Sequence, residues 1–294
     1  LYLFALGVFS IGTGIGSLLC EKLSARTVEI GLVPLGAFGM SFFLFDLYFA
    51  RSGVASVAGL EIAGFLRQPG SWRVALDLFG VGMFAGFFLV PLFALIQSRT
   101  PKQELSRVIS GVNIQNACFI VLAAVLGIVL QMEQFTIGST TIRMPGLGIP
   151  QLFLCLAIAN TLVAIWIFTI VPEFMMRFLS WMFVRALYRL QLHGIEKNVP
   201  DEGPALIVCN HVSYMDALIL SASIPRPVRF VMYYKIFNVP VMRWIFRTSK
   251  AIPIASAKED PEVTRRAFEE IDAALADGQL VCIFPEGALT RDGA

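Results

Sequence analysis

The stretch Ala205-Leu-Ile-Val-Cys-Asn-His-Val-Ser-Tyr-Met-Asp216 begins with five apolar residues and then becomes polar. A short apolar run bounded by polar residues is typical of a buried β-strand, and Asn210 and His211 follow this one at its carboxyl end. Open α/β sheets bind ligands outside the carboxyl ends of their strands. The stretch therefore predicts a strand with a functional site at its end.

The same alternation of strands and helices continues along the chain. Two more apolar runs, 228–232 and 279–284, are predicted to form buried strands. Between them, Asp260-Pro-Glu262 has the residues that begin a helix, and Gly278 is placed to end it. Residues 193–294 are therefore predicted to form an α/β domain. Because the chain stops soon after the third strand, we expect this domain to be incomplete.

His211 and Asp216 form a pair that suits proton transfer. A carboxylate close to a histidine can fix the tautomer in which the imidazole takes a proton from a hydroxyl group. The alternative is that His211 merely caps the following helix while Asp216 lies on a solvated face. The Asn before the His, and the later block Phe284-Pro-Glu-Gly287, favour the functional interpretation.

These two blocks resemble the glycerolipid acyltransferase family, which contains the 1-acyl-glycerol-3-phosphate acyltransferases and their lysophospholipid relatives. The resemblance implies that His211 is the general base for the acceptor hydroxyl and that Asp216 orients it. It also implies direct attack on an acyl thioester, with acyl carrier protein or coenzyme A as the thioester donor. The sequence has no Gly-x-Ser-x-Gly nucleophile motif, and Cys209 is the alternative nucleophile.

The resemblance further implies a site for the acceptor's phosphate. Two extra residues separate Glu286-Gly287 from Thr290-Arg291 relative to the commoner family pattern. Many family members also carry an arginine after an apolar strand between the two blocks, where this chain has Ala251-Ile-Pro-Ile-Ala255 with a lysine nearby on each side. We therefore expect the acceptor to differ from lysophosphatidic acid. The residues assigned to substrate binding are Asn210, Glu286, Gly287, Thr290 and Arg291, and the two flanking lysines are Lys250 and Lys258.

Charge and cysteine content exclude several other classes of protein. The net charge of +2 is too small to indicate a nucleic-acid partner. The five cysteines are scattered, without the spacing of a metal site or a disulfide framework, so a reducing compartment and no metal are expected.

Composition predicts a membrane-spanning region before residue 173. Hydrophobic residues make up 56% of the chain and charged residues 15%. A membrane-spanning helix needs about 20 mostly apolar residues. Five stretches meet this requirement, and together they predict an all-α helical bundle: 1–20, 28–50, 74–98, 108–131 and 148–172.

Gly12 and Gly16 lie within the first stretch, where they predict close helix packing and not a phosphate-binding loop. The segment 17–26 looks like a degenerate form of a loop motif of major facilitator transporters. The five spans would then be the last five helices of a twelve-helix transporter, and the chain would be cut at both ends.

Fusion of such helices to an acyltransferase domain resembles bacterial lysophospholipid transporters joined to 2-acylglycerophosphoethanolamine acyltransferase. The resemblance implies the bacterial inner membrane, lysophospholipid acceptors and an acyl-carrier-protein synthetase domain beyond the C-terminal end. Basic residues in the loops place the acyltransferase domain in the cytoplasm. Two alternatives remain: a lipid or drug transporter with an inert or regulatory acyltransferase-like tail, and a lysophosphatidic acid acyltransferase whose helices are only an anchor.

Polar residues inside the spans are few. Asn113 and Asn116 on the fourth span are candidates for a transport path, although interhelical hydrogen bonding would explain such residues equally well. Asn160 on the fifth span and Asp46 near a span end are weaker candidates.

The segment 173–192 is predicted to be an amphipathic helix in the plane of the lipid headgroups. At 100° per residue, Arg177, Arg185 and Arg189 share one face of it. The alternative is a connecting helix packed on the α/β domain. The predicted organisation is thus a transmembrane region 1–172, this linker helix, and the acyltransferase domain 193–294.

Overall fold

The computed structural model describes residues 1–24, 29–50, 61–137, 140–287 and 289. It divides into two compact units, Leu1–Ile167 and Phe168–Ala294.

The first unit is mostly helical. Its five long helices are long and apolar enough to cross a membrane, and each coincides with one of the five predicted stretches. A short helix and an antiparallel hairpin, which the sequence analysis did not predict, complete the unit. The elements are α1 (Tyr2–Leu23), α2 (Leu32–Ala50), α3 (Ile62–Leu66), α4 (Ser71–Arg99), α5 (Leu105–Gln131), β1 (Gln134–Ile137), β2 (Thr140–Arg143) and α6 (Ile149–Ile170).

Helices α1 and α4 pack through glycines on both surfaces. A Cβ atom added to Gly12 or Gly16 would collide with the backbone of α4, and one added to Gly82 or Gly86 would collide with the backbone of α1. Gly14, on another face of α1, has no such neighbour. The predicted close packing through Gly12 and Gly16 is therefore confirmed.

The segment interpreted as a transporter loop is largely helical. Helix α1 continues to Leu23, and Ser24 follows it in a turn. Arg26, the last residue of the proposed loop motif, lies outside the described residues. The loop expected from residue 17 onward is therefore wrong for 17–23, because α1 continues through the charged pair Glu21 and Lys22 to Leu23.

Two of the membrane polar residues have structural partners. The Nδ2 of Asn160 donates to the carbonyl oxygen of Ala37 at 2.7 Å and contacts Ser41 Oγ at 2.8 Å, which links α6 to α2. Asp46 is paired with Arg73, whose Nε donates to its Oδ2 at 2.9 Å. Both residues thus make the interhelical bonds that were the alternative to a transport role.

The second unit contains a four-stranded parallel sheet with strand order β3-β6-β4-β5. The three predicted strands are present, and β5 adds a fourth that was not predicted. The elements are α7 (Pro172–Leu187), α8 (Ile195–Asn198), β3 (Ala205–Val208), α9 (Asp216–Ser223), β4 (Val228–Tyr233), a 3-10 helix (Tyr234–Asn238), α10 (Pro240–Thr248), β5 (Ile252–Ile254), α11 (Pro261–Ala276) and β6 (Leu280–Ile283).

The central strands β4 and β6 are buried on both faces. One cluster joins Val231, Ile252 and Val281 to the apolar face of α11, and a second joins Phe230, Leu280 and Cys282 to Ile224 at the end of α9. Helix α11 begins as predicted, with Asp260 Oδ1 accepting from the backbone N–H groups of Glu262 and Val263 at 3.1 Å each. Gly278, at φ +73°, follows its end in the left-handed conformation that favours glycine.

Helix α7 differs from the predicted helix 173–192. It ends at Leu187, so that Arg189 lies beyond it. Arg177 is only 5% exposed, and its Nη1 donates to the carbonyl oxygen of Ile224 at 3.1 Å. Burial lowers the pKa of Arg177 to about 10. The prediction that three arginines share one exposed face is therefore wrong for Arg177, because that side of the helix packs on α9.

Candidate active site

Parallel pairing places the two sequence blocks at the same edge of the sheet. Val208 at the end of β3 is opposite Ile283 at the end of β6, and the N–H of Cys209 donates to the carbonyl oxygen of Ile283 at 3.2 Å. Asn210 and His211 continue from β3, while Phe284 and the turn after it continue from β6. The structure therefore brings the two blocks together, as expected for strand ends in an α/β sheet.

His211 and Asp216 are joined by a hydrogen bond of 2.9 Å between Nδ1 and Oδ2. The same Oδ2 accepts from the backbone N–H groups of Val212 and Ser213, also at 2.9 Å each. Asp216 is the first residue of α9, where the helix dipole stabilises a negative charge. With a side chain only 14% exposed, it does not lie on a solvated face.

The surroundings of Asp216 keep it ionised. Burial alone would raise the pKa of this carboxyl group, but the N–H of Ser213, the ring of His211 and the N–H of Val212 together lower it below its ordinary value. An ionised Asp216 accepts a hydrogen bond from His211, and the Nδ1 of the ring then carries the proton. Nε2 is then the ring nitrogen that can take a proton from a substrate.

Phe284 supports the histidine ring, a role that the sequence analysis missed. Its ring stacks on His211 with a centroid distance of 4.5 Å, and Phe230 stacks behind it at 6.5 Å. The sequence shows only that Phe284 and His211 each follow a predicted strand, and the pairing of β3 with β6 shows that these two strands are neighbours. The aromatic stack fixes the plane of the His211 ring, and the hydrogen bond to Asp216 fixes its tautomer.

The predicted substrate-binding residues are described only in part. Asn210, Glu286 and Gly287 are exposed at the edge that carries His211. Gly287 has φ +64°, and its N–H donates to the carbonyl oxygen of Phe284 at 3.1 Å to close the turn. Thr290 and Arg291 lie outside the described residues. Roles in substrate binding therefore stay predictions for all five positions.

The two lysines that flank residues 251–255 have different surroundings. Lys250 pairs with Glu173 of α7 at 2.8 Å, and Lys258 is exposed. A lysine that the sequence analysis did not single out, Lys235, follows β4 and so lies at the carboxyl edge of the sheet. It pairs with Glu259, 24 positions away along the chain, which explains why sequence spacing gave no signal.

Cys209 has poor properties for a nucleophile. Burial raises its pKa, and burial raises the pKa of the neighbouring Cys282 to about 12. Because the thiolate is the reactive form, these thiols are held in their inert state. Among the described residues, no group of three or more His, Cys, Asp and Glu could hold a metal ion.

The candidate transport residues are not assembled into a site in the described part of the chain. Asn113 and Asn116 are exposed on α5, a helix without buried residues. Their transport role stays a prediction.

Comparisons with known proteins concern the second unit. Residues 189–294 match the family model described as Acyltransferase. A chloroplastic 1-acyl-sn-glycerol-3-phosphate acyltransferase of Arabidopsis thaliana is 27% identical over 106 residues, which are 36% of this chain and 29% of that protein. The lyso-ornithine lipid O-acyltransferase of Rhizobium meliloti (strain 1021) is 31% identical over 105 residues, 36% of this chain and 33% of that protein.

The chain thus spans about a third of the length of these curated relatives. No solved structure gives a significant match. The matched region contains β3, α9 and β6, and with them His211, Asp216 and Phe284. The C-terminal part of the chain is therefore an acyltransferase domain with homology to 1-acyl-sn-glycerol-3-phosphate acyltransferases.

Proposed function

We propose that the protein transfers an acyl group from an acyl thioester to the free hydroxyl group of a lysophospholipid at a membrane. The observation that carries this proposal is the hydrogen bond between His211 and Asp216, at the sheet edge of a domain that matches an acyltransferase family. A donor attached to acyl carrier protein or coenzyme A fits the reaction, because both present the acyl group as a thioester.

The reaction needs no covalent enzyme intermediate. Nε2 of His211 removes the proton of the acceptor hydroxyl as its oxygen attacks the thioester carbonyl carbon. The C–S bond then breaks, and the departing thiolate receives the proton from the imidazolium. Asp216 stabilises the imidazolium through Nδ1, and the inert state of Cys209 supports this direct route over an acyl-cysteine.

The helical unit supports a membrane location for this chemistry. Five helices could cross a membrane, and lysophospholipids are themselves membrane components. In the proposal, the protein lies in a bacterial inner membrane with its acyltransferase domain in the cytoplasm. Its helices belong to a transporter of the major facilitator type and bring lysophospholipid to the enzyme. An acyl-carrier-protein synthetase domain is the proposed partner for donor supply.

A second candidate is acylation of lysophosphatidic acid, with the helices as an anchor. Relatives named as 1-acyl-sn-glycerol-3-phosphate acyltransferases favour it. The structure favours the first candidate, because Lys235 at the sheet edge is neutralised by Glu259 and offers little net positive charge to a phosphate monoester.

The test of the chemistry is His211→Ala in membranes that contain the full chain. Transfer of labelled acyl groups from acyl carrier protein and coenzyme A to a panel of lysophospholipids should fall by ~10²–10⁴-fold, the usual contribution of a general base. The matched control is His193→Ala, since His193 is exposed and is the other histidine of the chain. Near-normal turnover in His211→Ala would contradict the proposal.

The test of transport uses the same variant in lipid vesicles. His211→Ala protein should still move a labelled lysophospholipid across the bilayer, because it removes the chemistry and leaves the helices intact. Loss of movement together with catalysis would mean that acylation merely traps the lipid. No movement by the active protein would support the anchor alternative.

A further inference from the structure

The carboxyl group of Asp77 lies in the interior of the helical unit. Asp77 belongs to α4 and is only 1% exposed. Its Oδ2 is buried, and no described residue forms a hydrogen bond with it. Carboxylates are almost never fully buried unless they are paired, because removal from water disfavours the charged form. The position of Asp77 therefore requires either a counter-charge or a proton.

Two charged residues lie beside Asp77, where α2 packs on α4. Arg73 precedes Asp77 by one turn of α4, and its guanidinium group donates to both carboxylate oxygens of Asp46 on α2, through Nε at 2.9 Å and through Nη2. The side chains of Asp46 and Asp77 are themselves hydrogen-bonded to each other. Asp46, Arg73 and Asp77 are called the carboxyl cluster below.

A hydrogen bond between two carboxyl groups requires a proton on one of them, because an ionised carboxylate can only accept. Asp46 is already paired with the guanidinium of Arg73, which favours its ionised form. Asp77 is the more deeply buried of the two, and its remaining oxygen has no donor among the described residues. A neutral oxygen without a partner costs less in an apolar interior than a charged one. These contacts favour Asp77 as the residue that carries the proton.

The neighbouring helices supply no other charge to this cluster. Within the described residues, α1 has no charged side chain before Glu21, α3 has none, and Asp46 is the single charged residue of α2. The charges that act on Asp77 are those of Asp46 and Arg73. Because these two neutralise each other, the cluster is neutral while Asp77 holds a proton and has one negative charge after the proton leaves.

We propose that the carboxyl cluster is a proton-binding site, in which Asp77 takes up one proton from water and returns it at the contact between α2 and α4. Uptake forms the O–H bond of Asp77 and its hydrogen bond to Asp46. Release leaves two carboxylates beside one guanidinium group, and like charges in an apolar interior repel each other. The proton therefore acts as a ligand that holds α2 and α4 together here. This inference concerns the helical unit and does not depend on the proposed acyl transfer.

Infrared spectroscopy of the full chain, in a detergent without ester groups, tests the site directly. The carbonyl band of a protonated carboxyl group is separate from the bands of carboxylates. At neutral pH, where exposed carboxyl groups are ionised, the unaltered protein should show such a band and should lose it as the pH is raised. Asp77→Asn should lack the band. The matched control Glu104→Gln should retain it, because Glu104 is exposed at the start of α5.

Absence of the band from the unaltered protein would overturn the inference, and this result needs no variant to fold. Persistence of the band in Asp77→Asn would overturn it as well, because the proton would then belong to another residue.

Thermal unfolding as a function of pH supplies a second measurement. The folded protein holds a proton that the unfolded chain releases above about pH 4, so the unfolding temperature should fall as the pH rises from there. This dependence should be weaker by one proton in Asp77→Asn, whose neutral amide can still donate to Asp46, and unchanged in Glu104→Gln. Equal dependence in Asp77→Asn and the unaltered protein would contradict the proposal. So would a rise in unfolding temperature with Na⁺ but not with K⁺ at equal ionic strength, because the cluster would then bind a metal cation.

Discussion

The two units of the chain use polar residues in opposite ways. In the helical unit, Asn160 bonds to a carbonyl group and a hydroxyl group of the neighbouring helix, and α1 packs on α4 where side chains are missing. In the α/β unit, apolar strands form the core, and polar residues gather where those strands end. The difference shows that a polar residue within an apolar helix stabilises helix packing unless further polar groups lie close enough to form a site with it. A polar residue at a strand end is brought to its partners by the register of the sheet.

The largest effect is expected for Asp216→Asn, which tests whether the polar residues at the strand ends carry the chemistry. The amide can donate a hydrogen bond to Nδ1 and so stabilise the wrong tautomer of His211, and acyl transfer should fall by ~10²–10⁴-fold. Asp260→Asn is the matched control, because asparagine is an equally good N-cap for α11. Turnover of acyl groups by the two variants in membranes gives the measurement. Similar activities would show that the strand-end pair does not carry the chemistry.

A second prediction concerns the glycine contacts. In Gly16→Leu the new side chain would enter the backbone of α4 at Met83, and overpacking of this kind should cost roughly 1–3 kcal/mol of stability. Gly14→Leu introduces the same residue on a face of α1 without neighbours within 4 Å and should be tolerated. Thermal unfolding in detergent compares the two variants. Equal destabilisation would contradict the close-packing explanation, because leucine has a higher helix propensity than glycine and propensity alone would stabilise α1 in both variants.

A third prediction separates the two kinds of arginine on α7. Arg177→Met leaves the carbonyl of Ile224 without this donor while relieving a buried charge, so the net loss of stability should be ~1 kcal/mol. Arg185 is exposed and lies over the ring of Trp181, and Arg185→Met should change stability by less than ~0.5 kcal/mol. Denaturant unfolding of the full protein measures both. A larger loss in Arg185→Met than in Arg177→Met would contradict this prediction, because it would assign the more important protein contact to the exposed arginine.

The smallest expected effect belongs to the membrane asparagines. Asn160→Leu removes its two interhelical contacts, and hydrogen bonds of this kind contribute ~0.6 kcal/mol in membrane proteins. Asn113→Leu changes an exposed residue of α5, and its thermal stability should match that of the unaltered protein. Destabilisation by Asn113→Leu would indicate that α5 has a polar partner.

Most of the helices, and one functional pair, follow from patterns that are local in the sequence. The apolar runs predicted five helices, and Asp260-Pro261 with Gly278 predicted both ends of α11. The pair His211 and Asp216 could be found because a single turn joins them. Strand β5 was missed because its three residues include a proline, which weakens any strand signal.

The remaining features depend on contacts between distant segments. Periodicity placed Arg177, Arg185 and Arg189 on one face but could not show that α9 covers part of it. The stacking of Phe284 on His211 and the pairing of Lys235 with Glu259 depend on strand order, which a single sequence does not provide. Local patterns therefore predict the helices and strands, whereas the order of the strands in the sheet brings the residues of the candidate site together.

Helix α9 has different neighbours at its two ends. Its first residue is Asp216, which holds the histidine tautomer, and the carbonyl of Ile224, directly after its last turn, is held by Arg177 of α7. Eight helical residues form a stiff rod of about 12 Å. The two contacts therefore fix α9 at both ends, so that the carboxylate which orients the base is part of a helix anchored to α7 as well as to the sheet edge.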